Sequence, residues 1–105
     1  MVGHVNAQPV LAALVEPNRR AILRLVRDEP LAAGDIARHF DVSQQAVSQH
    51  LQVLREAGLV EVRPDKRRRL YVVRPEGFDV LVEELQGFWP DALARLKAAV
   101  ERAER

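Results

Sequence analysis

Apolar residues recur at intervals of three and four through the first half of the chain, which is the spacing of one face of an α-helix. They predict a helix over residues 8–15, with Pro9 in its first turn, and a second helix over residues 18–27. A short third helix opens at Gly34, and a fourth covers residues 44–57. The buried positions of the second, third and fourth helices are predicted to be Ile22, Leu23 and Val26, then Ile36, Ala37 and Phe40, then Val47, Leu51 and Leu54.

The pattern changes after the fourth helix, which we expect Ser43 to cap and Gly58 to end in a left-handed conformation. Residues 59–63 and 70–73 are Val-rich strand-like runs, and the turn between them begins with Pro64-Asp65. From residue 76 the helical spacing returns, with a kink or break expected near Phe88–Trp89 because of Pro90.

This order predicts one mainly α-helical domain over residues 1–105, a winged helix-turn-helix with four helices, a β-hairpin wing and a fifth helix. Residues 1–8 have no periodicity and are predicted to fray. No apolar run approaches the roughly 20 residues of a membrane span, and no secretory signal is visible. A cytoplasmic protein without a membrane partner is therefore expected.

Charge is distributed unevenly, although the formal net charge is only +1. Residues 1–42 are neutral, residues 43–74 carry +4, and residues 75–105 carry −3. A basic middle between neutral and acidic flanks is typical of a protein that binds a polyanion. The alternative is a general bias toward arginine, because lysine occurs only at positions 66 and 97.

The outer face of the predicted fourth helix is rich in neutral side chains that both donate and accept hydrogen bonds. Such side chains suit the recognition of base edges, since Gln pairs with adenine and Ser bonds to several bases. A polar, solvated face that happens to be rich in Gln is the alternative. The candidate DNA-binding residues are Gln44, Gln45, Ser48, Gln49 and Gln52 for bases, and Ser43 and His50 for phosphate.

Four adjacent cations lie at the predicted hairpin tip: Lys66, Arg67, Arg68 and Arg69. Adjacent cations repel one another, so an anion nearby would favour their placement. At the tip of a wing they would follow phosphates or enter the minor groove. A solvated charge run is the alternative interpretation.

The sequence gives little indication of catalysis, disulfide bonds or metal binding. The absence of cysteine excludes disulfides, thiolate metal sites and a cysteine nucleophile. A zinc site needs three or four ligands, whereas the chain has only His4, His39 and His50, and packing or phosphate contact is the favoured role of the last two. There is no Gly-rich phosphate loop and no Ser-His-Asp set with identifiable roles. We expect no enzyme, no metal and no cofactor.

The first and last helices carry more apolar surface than three short helices and a hairpin can cover. This surplus predicts a homodimer interface, with plain intrachain core as the alternative. A dimer would present two recognition helices about 34 Å apart, which matches an inverted-repeat operator in double-stranded DNA. The predicted interface residues are Val10, Leu11, Leu14, Leu85, Phe88, Trp89, Leu93, Leu96 and Val100.

Several segments together resemble the ArsR/SmtB family of winged-helix transcriptional repressors. They are residues 17–26, 43–51, 54–60 and 67–71, and the Gly87-Phe88-Trp89 ending resembles one branch of the family. The resemblance implies a homodimer that binds a palindromic operator and blocks transcription. The resemblance does not extend to the metal-binding site, because Ile36, Ala37 and Arg38 stand where metal-sensing members have cysteines.

The sequence is also compatible with two other functions. The winged helix would serve as a protein–protein interaction module with weak, non-selective DNA affinity, or as a regulator that binds a small molecule near Phe78, Phe88 and Trp89. The effector is unknown from the sequence.

Overall fold

The computed structural model describes residues 6–104, so most of the segment predicted to fray, including His4, lies outside the described residues. The predicted winged helix-turn-helix order is confirmed, with the last helix divided in two. The elements are α1 (Gln8–Val15), α2 (Pro17–Asp28), α3 (Ala33–Ala37), α4 (Gln44–Glu56), β1 (Val60–Asp65), β2 (Arg68–Val73), α5 (Asp79–Phe88) and α6 (Ala92–Ala103). A 3₁₀ turn, Pro75–Phe78, precedes α5.

The core lies where the first four helices meet the start of β1. Burial of a large aliphatic side chain contributes about 1.5–3 kcal/mol relative to exposure, so these contacts hold the helix-turn-helix in place. Of the predicted core residues, Ala37 and Phe40 are only partly buried. The largest fully buried side chains are Ile22, Ile36, Val47, Leu51, Leu54 and Leu59.

Both ends of α4 form as predicted. The Ser43 hydroxyl accepts a hydrogen bond from the Ala46 N–H at 3.0 Å, which caps the helix. At the other end Gly58 has φ +79°, and its N–H bonds to the Arg55 carbonyl while the Leu59 N–H bonds to the Leu54 carbonyl. This pair of bonds is the Schellman motif, and it directs the chain from α4 into β1.

The hairpin has longer strands and a tighter turn than expected. Its strands pair from Val60↔Val73 to Asp65↔Arg68, which leaves only two residues, Lys66 and Arg67, in the turn. The expectation of a turn over residues 64–68 is therefore wrong. Lys66 has φ +60°, a backbone conformation typical of the first turn residue in two-residue hairpins.

Pro64 fits within β1 because of the hydrogen-bonding pattern of the sheet. Tyr71 exchanges backbone hydrogen bonds with Leu31 on the far side of β2, so Tyr71 does not use those groups toward β1. Opposing residues of an antiparallel pair alternate between hydrogen-bonded and non-hydrogen-bonded positions. Pro64 lies two residues from Val62, the partner of Tyr71, so it is also at a non-hydrogen-bonded position and its nitrogen points away from β2.

The predicted break near Phe88–Trp89 is confirmed. α5 ends at Phe88, Pro90 lies in the connection, and α6 begins at Ala92. Pro90 cannot supply the backbone N–H that a continuous helix needs at that position. Within residues 6–104, no helix is both long and apolar enough to cross a bilayer.

Candidate nucleic-acid interface

The α4 helix separates its core face cleanly from its polar face. Val47, Leu51 and Leu54 are buried, whereas Gln45 and Gln49 on the opposite side are exposed. Across residues 6–104 the structure records no side-chain hydrogen bond for Gln44, Gln45, Ser48 or Gln49. The amide and hydroxyl groups of this face are thus available to an external partner, and the first turn contains no carboxylate that would repel DNA.

Four of the predicted DNA-binding side chains already have intramolecular partners, and Ser43 and Gln52 are two of them. Ser43 caps α4, and this leaves the N–H groups of Gln44 and Gln45 pointing out of the helix end, where a phosphate binds favourably. Gln52 donates from Nε2 to Oε2 of Glu56 at 2.8 Å, so its amide is less available than those nearer the start of α4.

His50 is half-buried and lies beside an arginine that the sequence alone had not singled out. Nη1 of Arg19 is 3.3 Å from Nδ1 of His50, while Nε of Arg19 donates to the Ala13 carbonyl at 2.8 Å and Nη2 donates to the Ala12 carbonyl at 3.2 Å. A guanidinium only donates, so Nδ1 of His50 accepts and the ring proton resides on Nε2. Arg19 thereby links the end of α1 to α4.

The four cations of the hairpin are all exposed, but they are not equivalent. Lys66 and Arg67 form the turn, whereas Arg68 and Arg69 begin β2. Nη2 of Arg68 donates to Oδ2 of Asp35 at 2.7 Å, and the other oxygen of Asp35 accepts from Arg38 at 2.6 Å. Asp35 therefore ties the hairpin to α3.

Sequence reasoning missed Asp35 and Arg19 as parts of this surface. Arg68 is 33 residues from Asp35 and His50 is 31 residues from Arg19, so no local pattern reveals either contact. Arg55 was also missed, although a signal existed for it. It follows Ser48 by seven residues, and this spacing places both on one side of α4.

The C-terminal helices expose a large apolar surface. Phe88 is 70% exposed, Trp89 44% and Leu96 59%, and Leu93 and Val100 are also exposed. A groove of about 310 Å³ between α5 and α6 is lined mainly by aliphatic side chains and by Trp89, over which the Arg95 guanidinium lies at 6.0 Å from the ring centroid. Apolar exposure of this kind marks an interaction surface.

The structure corrects one residue of the predicted dimer interface. Val10 is only 2% exposed and belongs to the core of its own chain, so no side-chain surface is left for a partner. Leu11, Leu14 and Leu85 are half-buried and retain some accessible surface. The helix-terminal Val15, 74% exposed, adds to the apolar surface of α1.

No three histidine, aspartate or glutamate side chains come together as a metal site would require within the described range 6–104. His39 Nδ1 lies 3.0 Å from the Asp35 carbonyl oxygen. His39 therefore contacts the backbone of α3, and His50 contacts the Arg19 side chain of α2.

Comparison with known proteins identifies relatives over most of the chain. The profile of a helix-turn-helix domain family matches residues 14–63. The HTH-type transcriptional regulator Rv2034 of Mycobacterium tuberculosis is 47% identical over 81 residues, which are 77% of this chain and 76% of that protein. The transcriptional repressor SdpR of Bacillus subtilis is 40% identical over 63 residues, 60% of this chain and 67% of that protein.

Solved structures share the fold. A possible transcriptional regulator for arsenical resistance superposes with a TM-score of 0.68 at 41% identity, covering 90% of this chain and 97% of that one. An ArsR-like transcriptional regulator from Rhodococcus gives 0.72 at 28% identity, covering 91% of each chain. A fragment from Mycobacterium bovis, described as a homodimeric winged helix-turn-helix DNA-binding domain, gives 0.63 at 27% identity, with 89% and 94% covered.

Proposed function

Because the chain belongs to the ArsR/SmtB family of winged helix-turn-helix transcriptional regulators, we propose that it is a repressor which binds an inverted-repeat operator as a homodimer. Membership makes it a DNA-binding regulator, and the repression is supported by the relative that is named a transcriptional repressor. We place its action in the cytoplasm, on double-stranded DNA, without a metal or a cofactor. The cysteines of the metal-sensing members are absent from this chain.

One observation supports the proposal: α4 exposes a Gln-rich face, and the same helix shares a groove with the basic hairpin through Arg55. Arg55 of α4 and Arg67 of the turn line that groove together. A helix in the major groove and a hairpin in the neighbouring minor groove is the arrangement that such a surface fits. The two parts then have separate tasks, base recognition by the helix and phosphate attraction by the hairpin.

Base recognition is assigned to Gln44, Gln45, Ser48 and Gln49, which are exposed on α4. Gln52 has a lesser share because its amide already donates to Glu56. Phosphate contact is assigned to the N-terminal N–H groups of α4, to Nε2 of His50 and to the hairpin cations.

Two variants separate these tasks. A cognate duplex is first obtained by selecting from a random pool with the wild-type chain, and a scrambled duplex of equal composition is the control. Gln49→Ala is expected to cost about 1–3 kcal/mol on the cognate duplex and little on the scrambled one. Arg67→Ala is expected to weaken both duplexes similarly and to reduce the salt slope by about 1.

Fluorescence anisotropy across a salt series measures all four combinations. Equal losses of both variants on both duplexes would contradict the division of tasks. A wild-type chain that enriches no sequence and binds every duplex weakly would contradict the repressor and favour the protein–protein interaction module.

Dimerisation is assigned to the exposed apolar surface of α5 and α6, with Leu11, Leu14 and Val15 of α1 at its edge. A single chain leaves Phe88, Leu93, Leu96 and Val100 in water, and a second copy would cover them. The related fragment from M. bovis that is described as homodimeric supports this assignment. The self-complementary surface of a two-fold dimer presents two α4 helices to two half-sites.

A further inference from the structure

The groove between α4 and the hairpin contains an unusual concentration of arginine. Its volume is about 510 Å³, and its walls come from the last turn of α4, from the start of α3 and from the hairpin. The residues that line it are Ala32, Ala33, Arg55, Arg67, Arg68, Arg69 and Tyr71.

Only one of these four arginines has a carboxylate partner within residues 6–104. Arg68 pairs with Asp35, which it shares with Arg38, whereas Arg55, Arg67 and Arg69 form no ion pair there. Each of the three is exposed. Like charges around one groove repel one another, and a bound anion would relieve the repulsion.

The position of the groove identifies the anion. Arg55 follows Ser48 by two helical turns, so this arginine of the groove lies on the same side of α4 as the proposed base-recognition residue Ser48. On B-DNA a single sugar-phosphate strand separates a major groove from the adjoining minor groove. When α4 occupies the major groove and the Lys66–Arg67 turn reaches the minor groove, that strand passes between the helix and the hairpin.

We infer that this groove holds the DNA backbone strand between the two grooves, and that Arg55 and Arg69 are its phosphate ligands. The inference rests on the proposed function and adds to it two assignments: a DNA-binding role for Arg55, and for Arg69 a place on the strand instead of at the hairpin tip. The flat guanidinium suits a phosphate because two N–H groups donate to two oxygens together.

The first test measures the salt dependence of DNA binding for Arg55→Gln against Arg24→Gln. Arg24 is also exposed, but it lies on α2 outside the groove, so its variant removes the same charge elsewhere. Loss of one phosphate contact lowers the log–log salt slope by about 0.9, which corresponds to about an eightfold weaker affinity at 0.1 M salt. Arg55→Gln is expected to show this change on cognate and scrambled duplexes alike, and Arg24→Gln is not.

A second measurement locates the contact on the DNA. A methylphosphonate placed at single backbone positions removes one charge at a time from the cognate duplex. At the phosphate seated in the groove, the wild-type chain is expected to lose about eightfold in affinity, whereas Arg55→Gln loses little further. Arg69→Gln is expected to behave in the same way at this or the adjacent phosphate.

The outcomes are distinguishable. Two results would overturn the assignment of the groove alone while the wild-type chain still binds DNA. One is a salt slope for Arg55→Gln equal to that of Arg24→Gln. The other is an equal loss from methylphosphonate for wild type and Arg55→Gln at every position. A wild-type chain that binds no duplex with a salt slope overturns the proposed function as well. Circular dichroism melting checks that the variants fold, and no large effect is expected since both side chains are exposed.

Discussion

Gly77 lies against the turn that ends α4, and its contact with that turn depends on the missing side chain. A Cβ at position 77 would lie 1.9 Å from the Gly58 carbonyl oxygen and 2.8 Å from its carbonyl carbon. Backbone atoms cannot yield as the end of a flexible side chain does. Gly77 therefore fixes how closely the chain before α5 approaches the Schellman turn.

Gly77→Ala is predicted to destabilise the fold by about 1–3 kcal/mol, since the added methyl forces a backbone shift. Gly34→Ala is the matched control, because position 34 lies in α3 with no atom within 4 Å of the added Cβ. There the substitution is expected to stabilise by about 0.5–1 kcal/mol. Denaturant melts at one chain concentration measure both changes, and equal effects of the same sign would contradict this account.

The Asp35 carboxylate joins two elements that otherwise share few contacts. It accepts hydrogen bonds from Arg38 within α3 and from Arg68 of the hairpin, and it is 28% exposed. An isolated exposed ion pair contributes little to stability, but a carboxylate shared by two arginines restricts where the hairpin sits relative to α3 and to α4, which packs against it.

Asp35→Asn is predicted to change the ratio of cognate to scrambled affinity, which simple electrostatics would leave unchanged. Removal of a negative charge beside DNA ordinarily strengthens binding to any duplex. If the tie positions the hairpin, the ratio of cognate to scrambled affinity instead falls by about two- to fivefold, which corresponds to a pair worth up to about 1 kcal/mol.

Asp41→Asn is the control for that measurement, since Asp41 is exposed on the same helix-turn-helix and forms no ion pair among residues 6–104. It is expected to leave the affinity ratio unchanged. An Asp35→Asn chain that gains equally on both duplexes, as simple electrostatics requires, would refute the positioning role.

The helices were predictable because their signals are local. Apolar spacing, the Ser43 cap and Gly58 place α1, α2 and α4 within one or two residues of their observed bounds. The hairpin turn was misplaced because Pro64-Asp65 is a common turn start, whereas the outward direction of the Pro64 nitrogen depends on strand pairing. The Asp35–Arg68 and Arg19–His50 contacts join distant positions, so no sequence window contains them.

The molecule as a whole has its core in the first four helices and the hairpin, whereas its two C-terminal helices are largely exposed. α6 has a single buried residue, Ala92, and α5 has none. From the sequence, the apolar excess of the first and last helices indicated an interface, but it did not show which side of α1 faces inward. The structure resolves this for Val10, which is core, and for Val15, which is exposed.

The dimer is tested by Leu96→Glu against Ala94→Glu. Leu96 lines the α5–α6 groove, whereas Ala94 is exposed on α6 outside it. Leu96→Glu is predicted to yield a monomer of 11.9 kDa, because the proposed interface would bury an unpaired carboxylate. Wild type and Ala94→Glu are expected to sediment at twice that mass. A monomeric wild type at micromolar concentration, or a dimeric Leu96→Glu chain, would contradict the assignment.

Selective DNA binding by a dimer is the central claim, and anisotropy of two labelled duplexes tests it most directly. One duplex carries the sequence that the wild-type chain enriches from a random pool, and the other carries its scrambled version, each measured from about 50 to about 200 mM salt. We predict a preference for the enriched duplex of about 10³-fold or more, a steep salt dependence, and saturation at two chains per duplex. Equal affinity for both duplexes throughout the salt series would contradict the claim.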